Sequence, residues 1–467
     1  MIFVVRQMVE KAFEHRGKAF LLFIDLRKAY DSVSRDCLWR VLEKAGVPPR
    51  LLSIVQSFHT SMQATICVDG DRLDPFAVRN GLRQGCSMAP TLFNIFMWAV
   101  FQRWYARVAD IPGAGVPIHT NARQRLFFRR HRTDTRRSIL DCQFADDSAL
   151  MATRREAIET CLTAFVEVAG AFGLKVNLEK TKLMVTGHHV TEEDVRPLML
   201  NGHAVEVVSE FRYLGTNIHA DGRCSRDIES RIAAASRAFG VLSRPVFRDN
   251  NLTLATKRTV FEACVLSLLL YASECWVPLQ ADIAKLSSFY MRCLRTIMGV
   301  SRSDVWDFHI SNTTILEQWN DARPLPIKDR IVQRRLEWFG HVMRMDMERT
   351  PRVVLFGCRP ETRPACGPRK RWRDALSPDL QRCDVQDSWP EDTQSRPGWR
   401  NIYRELEPAS SPVRNVQCLV CRRVFSRPSD KRRHKCLDER AKPIAEQRGA
   451  VQCPQCQRWL RSRGVRV

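Results

Sequence analysis

The feature that most restricts the fold of this chain is an apolar run, residues 19–24, that ends in an aspartate, Asp25. An unbroken apolar run of this length is typical of a strand that is buried on both faces of a sheet. A carboxylate at the end of such a strand needs a cation or hydrogen-bond donors, because burying a bare charge is costly. Two further aspartates, Asp146 and Asp147, occupy the predicted turn of a hairpin over residues 139–152. If the Asp25 strand pairs with this hairpin, three carboxylates converge at one end of a sheet.

Three converging carboxylates suit divalent cations. Such a cluster would hold two Mg²⁺ ions about 4 Å apart, one activating an attacking hydroxyl and the other steadying a triphosphate. Adjacent aspartates in a hairpin are, by themselves, more often ordinary turn residues. The metal-site hypothesis therefore depends on the combination of the strand and the hairpin.

The segments around these carboxylates alternate between helical and strand patterns. Ser34 is a predicted N-cap of a helix that ends at Gly46, and Pro90 precedes an apolar run that predicts a largely buried helix. These patterns predict a mixed α+β unit over residues 1–222. Over residues 223–349 the apolar residues recur at helical spacing instead.

Charge indicates the kind of partner. The chain has 74 Lys and Arg against 51 Asp and Glu, a formal net charge of +23, which predicts a polyanionic partner such as nucleic acid.

Proline and arginine rise together over residues 350–414, which predicts a basic linker with short docked segments. No apolar run reaches the roughly 18 residues of a membrane span, and the first residues lack a secretion signal. We therefore expect a nuclear or cytoplasmic protein that is neither secreted nor membrane-bound.

Cysteines near the end of the chain have the spacing of metal ligands. Cys418 and Cys421 are separated by two residues, and His434 and Cys436 follow after twelve more. This is the first half of a zinc-finger pattern and predicts Zn²⁺ binding over residues 415–467. The surrounding arginines and lysines favour contacts with phosphates.

The zinc ligand set stays open at this stage. One residue separates the last two candidates, fewer than the usual three to five, so Asp438 is an alternative fourth ligand to Cys436. A second pair, Cys453 and Cys456, allows a four-cysteine site together with Cys418 and Cys421.

Five short segments, in this order, make a family resemblance specific. They resemble motifs A to D and the primer grip of the reverse transcriptases of non-LTR (LINE-type) retrotransposons. The resemblance continues through residues 335–342 and 370–374, and so covers nearly the whole chain. The five segments are Phe23-Ile24-Asp25-Leu26-Arg27-Lys28-Ala29-Tyr30-Asp31, residues 80–90, Phe144-Ala145-Asp146-Asp147, residues 173–182 and Phe211-Arg212-Tyr213-Leu214-Gly215.

The resemblance implies roles for the residues around the metal ions. Asp25 and Asp146 would bind both Mg²⁺ ions and Asp147 would support the site. The Leu26 carbonyl would coordinate the ion on the nucleotide side. Tyr30 matches the family's steric gate, an aromatic ring in the space that a ribose 2′-hydroxyl would need, with core packing as the alternative.

The resemblance also implies contacts with the substrates. Gln84 and Gly85 suit contact with the nascent base pair, since glycine has no Cβ to obstruct the approach. Lys180 or Lys182 would neutralise or protonate the departing pyrophosphate, and we favour Lys180. A solvated turn lysine is the alternative for either position.

The implied protein is an RNA-directed DNA polymerase that uses dNTPs, an RNA template and a DNA primer or target. Its expected fold is a right-hand palm with partial fingers over residues 1–222, a helical thumb and connection over 223–349, the basic linker, and a zinc-binding tail. Motif A begins at Phe23, so we expect most of the fingers to be missing and the chain to be truncated. The alternative is a catalytically weak or inactive nucleic-acid-binding remnant. An RNA-templated RNA polymerase is disfavoured by Tyr30 and Ala145.

Overall fold

The structure is a computed structural model that describes residues 1–83, 85–120, 135–319, 325–357, 370–385 and 388–404, and four short strands beyond residue 415. The helices are α1 (Ile2–Glu14), α2 (Arg35–Lys44), α3 (Pro49–Ser57), α4 (Ala89–Val108), α5 (Arg155–Ala171), α6 (Ser225–Leu242), α7 (Leu254–Phe261), α8 (Ser267–Leu269), α9 (Gln280–Ile297), α10 (Arg302–Asp307), α11 (Asn312–Trp319), α12 (Ile327–Met343), α13 (Thr350–Phe356), α14 (Trp372–Arg382), α15 (Trp389–Asp392) and α16 (Arg396–Arg404).

The strands of the first 220 residues form one larger sheet and several hairpins. They are β1 (Lys18–Ile24), β2 (Gln63–Ala64), β3 (Cys67–Val68), β4 (Asp71–Arg72), β5 (Phe76–Ala77), β6 (Val116–Thr120), β7 (Thr135–Ile139), β8 (Asp141–Phe144), β9 (Asp147–Ala152), β10 (Lys182–Gly187), β11 (Leu198–Leu200), β12 (His203–Val207), β13 (Glu210–Tyr213) and β14 (Thr216–His219). The late strands are β15 (Val416–Gln417), β16 (Val424–Phe425), β17 (Ala450–Gln452) and β18 (Trp459–Arg461).

Strand β1 lies inside the main sheet, whose order is β11-β12-β10-β1-β9-β8. It pairs antiparallel with β9 and with β10, so that Leu22 lies opposite Leu150 on one side and Leu183 on the other. Alternate β1 side chains enter two different cores: Phe20 and Leu22 face one, Leu21 and Phe23 the other. The predicted burial of this strand on both faces is confirmed.

The two cores contain different helices. Buried side chains of α2, α4 and α5 cover the Leu22 face of the sheet. The predicted N-cap of α2 is present, because the Ser34 hydroxyl accepts a hydrogen bond from the Cys37 N–H. The Leu21 face is covered by α1 and by the helices after residue 327. A third core lies among α6 to α12, in agreement with the helical pattern predicted for residues 223–349.

The span predicted to be a linker differs from that expectation where it is described. Helices α13, α14, α15 and α16 lie in it, and Trp372, Trp389 and Trp399 are buried in the same core as α1. The high proline and arginine content is compatible with these helices, because Pro390 and Pro397 lie in their first turns and most arginines stay near the surface.

Within the described ranges, none of the helices combines the length and the apolar character that crossing a bilayer requires. The zinc candidates Cys418, Cys421, His434 and Cys436, like the alternatives Asp438, Cys453 and Cys456, lie outside the described residues.

Candidate active site

The β8–β9 hairpin places two aspartates at its tip. Phe144 pairs with Asp147, which leaves Ala145 and Asp146 as a two-residue turn. Ala145 has a φ of 54°, in the left-handed region. A positive φ at the first turn position matches the twist of the paired strands and costs a non-glycine residue about 1 kcal/mol. Asp146 therefore occupies the tip and Asp147 the first position of β9.

Asp25 lies across from this tip. Ile24 at the end of β1 pairs with Ser148 of β9, so the antiparallel register carries Asp25 to the level of Asp147. Burial raises the pKa of Asp147, and the negative charges of Asp146 and Asp25 raise it further. The structure thus brings the three predicted carboxylates into one electrostatic neighbourhood, as the pairing of the strand with the hairpin required.

The chain after β1 is fixed by the segment that resembles motif D. The Asn177 N–H donates to the Asp25 carbonyl at 2.8 Å, and the Arg27 N–H donates to the Lys175 carbonyl at 2.8 Å. The Asp25 N–H donates to the hydroxyl of the fully buried Thr181 at 3.4 Å. Leu26, also buried, bridges to Val176 between these contacts. Thr181 therefore helps to position Asp25, a function that the sequence analysis did not assign.

Tyr30 lies between the carboxylates and the helix that follows motif B. Its ring stacks on Phe93 of α4, with the ring centroids 4.3 Å apart and the planes at 14°. Burial raises the pKa of Tyr30, and the Asp146 carboxylate raises it further. The phenol is therefore close enough to Asp146 to sense its charge, and the stacking on Phe93 holds the ring in place.

The loop that resembles motif B is anchored by an arginine that sequence reasoning missed. The Arg35 guanidinium donates to the carbonyls of Val78 and His59 at 2.9 Å and to that of Gly81 at 3.0 Å. Because a guanidinium has five donors in a fixed fork, one side chain can hold several carbonyls of a loop. Arginine in the first turn of a helix gave no signal for this contact.

Two glycines of this loop differ in their surroundings. Gly81 has a φ of 85°, and a Cβ there would meet the Asp31 backbone at 2.8 Å. Gly85 has a φ of 82°, and a Cβ there would meet open space. The loop thus packs tightly on motif A at Gly81 and leaves Gly85 accessible. Gln84, the predicted partner of Gly85, lies outside the described residues.

A cavity of about 330 Å³ lies beside Asp25 and Asp147. The contacts of the two candidate lysines around this cavity differ. Both Lys180 and Lys182 line it. The Lys182 ammonium is bound to Glu206 at 2.7 Å, whereas Lys180 is exposed in the turn before β10. This difference favours Lys180 as the lysine that can contact a phosphate.

The segment that resembles the primer grip forms the β13–β14 hairpin against the same cavity. Phe211 stacks on Phe23 with centroids 4.2 Å apart, and the Tyr213 hydroxyl donates to the Cys142 carbonyl at 3.3 Å. Both aromatic residues line the cavity. The hairpin is therefore fixed to the central sheet next to the carboxylates.

The carboxylates do not form a ready-made metal cage. No group of three or more His, Cys, Asp or Glu side chains is close enough to hold a metal ion in the part of the chain that the structure describes. The donor chemistry nevertheless fits Mg²⁺, which prefers carboxylate oxygens and usually keeps waters and substrate phosphates as its other ligands. The pKa of Asp147 is raised first by burial and then by the negative charges of Asp146 and Asp25, which a cation would compensate.

Comparison with known proteins identifies the family of this region. Residues 2–218 match the family model "Reverse transcriptase (RNA-dependent DNA polymerase)". The chain is 22% identical over 294 residues to the probable RNA-directed DNA polymerase from transposon BS of Drosophila melanogaster, covering 62% of this chain and 30% of that protein. It is 21% identical over 296 residues to the RNA-directed DNA polymerase from mobile element jockey of the same fly, covering 62% and 29%.

A third fly relative is the Pol polyprotein of retrotransposable element R2DM, 23% identical over 234 residues that make up 47% of this chain and 19% of that protein. The chain thus spans less than a third of the length of these relatives. Among solved structures, apo telomerase from Candida tropicalis aligns with 12% identity and a TM-score of 0.33, covering 77% of this chain and 55% of the other, too distant a match to inform function. Residues 2–218 therefore match the reverse transcriptase family model and are similar to the polymerases of the mobile elements jockey and R2DM.

Proposed function

We propose that this chain is an RNA-directed DNA polymerase of a non-LTR retrotransposon. In the reaction, a primer 3′-hydroxyl attacks the α-phosphate of a dNTP opposite an RNA template base, and pyrophosphate leaves. The observation that carries the proposal is the meeting of Asp25 and Asp147 at the end of the central sheet, with Tyr30 beside Asp146.

Asp25 and Asp146 would hold two Mg²⁺ ions, with Asp147 and the Leu26 carbonyl as supporting groups. When bound, these ions activate the attacking hydroxyl and stabilise the charge on the phosphates. The chain itself contributes the position of the carboxylates: the Asn177 and Thr181 contacts fix Asp25, and the hairpin turn fixes Asp146. Fixed donors lower the reorganisation that accompanies the reaction.

Tyr30 would exclude ribonucleotides. Its ring is restrained by the stack on Phe93 and lies within reach of the charge of Asp146, where the sugar of an incoming nucleotide would approach. Gln84 and Gly85 would contact the nascent base pair. Lys180, exposed at the rim of the cavity, would neutralise the pyrophosphate as it leaves.

The nucleic-acid partners would be an RNA template and a DNA primer or target. The net charge of +23 favours both. We place the palm with partial fingers in residues 1–222 and the thumb and connection in 223–349, in a nuclear or cytoplasmic protein.

We further propose that residues 415–467 bind Zn²⁺ through Cys418, Cys421, His434 and Cys436 and contact nucleic acid. The support is the spacing of these ligands and the surrounding positive charge. Metal analysis of the purified chain should find one zinc ion, and zinc content unaffected by His434→Ala would contradict this ligand set.

The polymerase proposal is tested with Asp146→Asn. The purified parent chain should extend a DNA primer on an RNA template with dNTPs and Mg²⁺. Asp146→Asn should lower the rate by at least about 10³-fold while template binding changes little, because phosphate contacts lie elsewhere. Asp36→Asn, in the exposed first turn of α2, is the matched control and should retain parental activity.

The alternative, a non-catalytic remnant, has a different outcome. A parent chain that binds primed template but shows no incorporation above that of Asp146→Asn would support the remnant. Incorporation by Asp146→Asn at the parental rate would contradict the assignment of the carboxylates.

A further inference from the structure

A second cavity, larger than the one beside the carboxylates, lies between α12 and α16. Its volume is about 520 Å³, and an adjoining cavity of about 210 Å³ shares Arg334, Glu337, Arg400 and Tyr403 with it. The two cavities therefore form one continuous groove, which we call the α12–α16 groove. None of its lining residues lines the cavity beside Asp25 and Asp147.

Arginines dominate the charge of this groove. On α12 and at its C-terminal end they lie at positions 330, 334 and 344, and on α16 they recur every four residues, so that each helix turns one basic stripe toward the groove. Among the residues that the structure describes, two acidic side chains line it, Glu274 and Glu337. The arginines that line the groove are Arg330, Arg334, Arg344, Arg396, Arg400 and Arg404.

Several of these arginines have protein partners and others keep their charge available. Arg330 is paired with Glu262 at 3.4 Å, and Arg344 donates to the Thr393 carbonyl at 2.8 Å. Arg396 and Arg400 are exposed in α16. The pKa of His341, on the same face of α12, is lowered by partial burial and by the positive charges of Arg344, Arg396 and Arg349. With six arginines against two glutamates in its lining, the groove carries a net positive charge.

Aromatic rings line the same groove. Trp338 and Tyr403 contribute to its wall, and the indole N–H of Trp338 is enclosed without a hydrogen-bond partner among the described residues. Trp399 has a structural function, because its indole N–H donates to the Leu336 carbonyl at 2.7 Å and its ring packs on Gly340. Arginines next to aromatic rings are the combination that binds the backbone and the bases of a nucleic-acid strand.

We propose that the α12–α16 groove binds a single strand of nucleic acid, with phosphates on its arginines and a base against Trp338, whose ring is half-buried, whereas Tyr403 is buried in the core. The basic stripe from Arg330 to Arg344 is about 21 Å long, at 1.5 Å per helical residue, which is the span of several phosphates rather than of one free anion. An acidic peptide would satisfy the arginines but has no bases for the rings. The site is separate from nucleotide transfer, and its test requires no incorporation.

The first experiment measures binding to the full chain. A fluorescent single strand of about 12 nucleotides, as RNA and as DNA, is titrated at several salt concentrations. Arg344→Gln/Arg400→Gln should weaken binding by about tenfold and reduce the slope of log affinity against log salt by about 1.4, since each phosphate contact contributes about 0.7. Arg16→Gln/Arg103→Gln, two exposed arginines that line none of these cavities, is the matched control. Equal slopes for both double variants would overturn the proposal.

The second experiment locates the strand. A strand carrying 5-iodouracil is irradiated with the full chain, and the crosslinked peptides are mapped by mass spectrometry. We expect an adduct at Trp338 that is strongly reduced in Arg344→Gln/Arg400→Gln. Adducts confined to other peptides, or displacement of the strand by polyglutamate at equal charge concentration, would refute a nucleic-acid groove.

The same crosslink separates this proposal from the polymerase assignment. Asp146→Asn should retain the groove adduct in full, because Asp146 lies at the tip of the β8–β9 hairpin and does not line the groove. A chain that incorporates no dNTP but keeps the adduct would disprove the polymerase proposal alone. A chain that incorporates dNTPs but shows no groove adduct would disprove the groove alone.

Discussion

At the scale of single residues, Asp25 and Asp146 of the candidate site are positioned by different local interactions. Asp25 is held through its backbone, by Asn177 and Thr181. Asp146 is held by the two-residue turn, whose first position, Ala145, has a positive φ. The charged groups themselves make few direct contacts, so their positions depend on neighbours that carry no charge.

Gly81 and Gly85 provide a matched pair for testing the loop between motif A and α4. Both have a positive φ, so alanine at either position costs about 1–2 kcal/mol of backbone strain. Gly81→Ala should cost a further 1–3 kcal/mol, because its Cβ would overlap the Asp31 backbone. Urea denaturation of both variants measures the difference in the free energy of unfolding. Equal losses would show that the loop does not pack on Asp31 as described.

Tyr30 is tested by the ratio of ribonucleotide to deoxyribonucleotide incorporation. Tyr30→Val should raise this ratio by about tenfold or more, equivalent to about 1.4 kcal/mol, because the vacated space accepts a 2′-hydroxyl. Tyr30→Phe keeps the ring and its stack on Phe93, and should leave the ratio unchanged. If Tyr30→Val leaves this ratio unchanged, Tyr30 serves core packing and does not exclude ribonucleotides.

The sequence predicted the candidate site residues more completely than the residues that hold them in position. Asp25 and Asp146 were predicted from a buried strand and from paired carboxylates in a hairpin turn, and Tyr30 from the family resemblance. Arg35 and Thr181 were missed because their contacts are with backbone groups distant in the sequence. Backbone acceptors are the same for every residue type, so sequence alone gives no signal for such contacts.

At the scale of elements, α1 is the connection between the sheet and the later helices. It carries the half-buried Glu10, whose carboxylate accepts a hydrogen bond from the Trp372 N–H at 2.8 Å. Glu14 of the same helix is bound to Arg371 at 2.7 Å. The attachment of α14 to α1 thus depends on two glutamates one helical turn apart.

Glu10 and Glu14 should change the free energy of unfolding with pH in opposite directions. Burial raises the pKa of Glu10 to about 7, while Lys11 and Arg371 outweigh burial and lower the pKa of Glu14. Because the folded pKa of Glu10 exceeds its unfolded value, its contribution is present below pH 4.5 and is lost as the pH rises through 7. The loss reaches about 3 kcal/mol by pH 8. Glu14 contributes in the opposite sense, with stability that is lost as the pH falls through its lowered pKa.

Free energies of unfolding at pH 5 and pH 8 test this difference. Glu10→Gln should remove most of the decrease between the two values that the parent chain shows. Glu14→Gln, the matched control on the same helix, should leave that decrease in place and destabilise the protein at both values. A parent chain and a Glu10→Gln variant with the same pH dependence would contradict the raised pKa of Glu10.

Element prediction was accurate where apolar periodicity was regular and failed where composition was unusual. The helices α2 and α4 and the β8–β9 hairpin have the predicted positions. In residues 350–414 the high proline and arginine content led to the prediction of a linker instead of helices. The tryptophans at positions 372, 389 and 399, which are buried, were the sequence signal for packed helices. Large aromatic residues in a basic segment are better evidence of docking than its mean composition.

At the scale of the whole molecule, the first and the last described helices share one core. Phe3 of α1 contacts Trp372 of α14, with the ring centroids 5.1 Å apart. The Arg335 guanidinium of α12 is buried against the carboxylate of Asp379 and also donates to the Trp276 carbonyl at 3.2 Å. The reverse transcriptase domain and the helices after it are therefore expected to fold as one unit.

This interdependence predicts the effect of shortening the chain. A chain that ends after Arg404 keeps all three described cores and should unfold cooperatively, within a few degrees of the full chain. A chain that ends after Gly357 loses α14 to α16, exposes the Phe3 face of α1 and leaves Arg335 buried without its carboxylate. An unpaired buried charge alone costs about 3–5 kcal/mol, a large part of the stability of a domain.

The shorter chain should therefore aggregate or unfold without a cooperative transition, and lose primer extension although every candidate catalytic residue is present. Thermal unfolding and gel filtration of the two chains measure the difference. Arg335→Met/Asp379→Leu in the full chain is the control that removes both charges but keeps the helices, and it should stay folded because neither partner is left unpaired. A chain ending after Gly357 that unfolds as cooperatively as the full chain would show that the reverse transcriptase domain folds independently of α14 to α16.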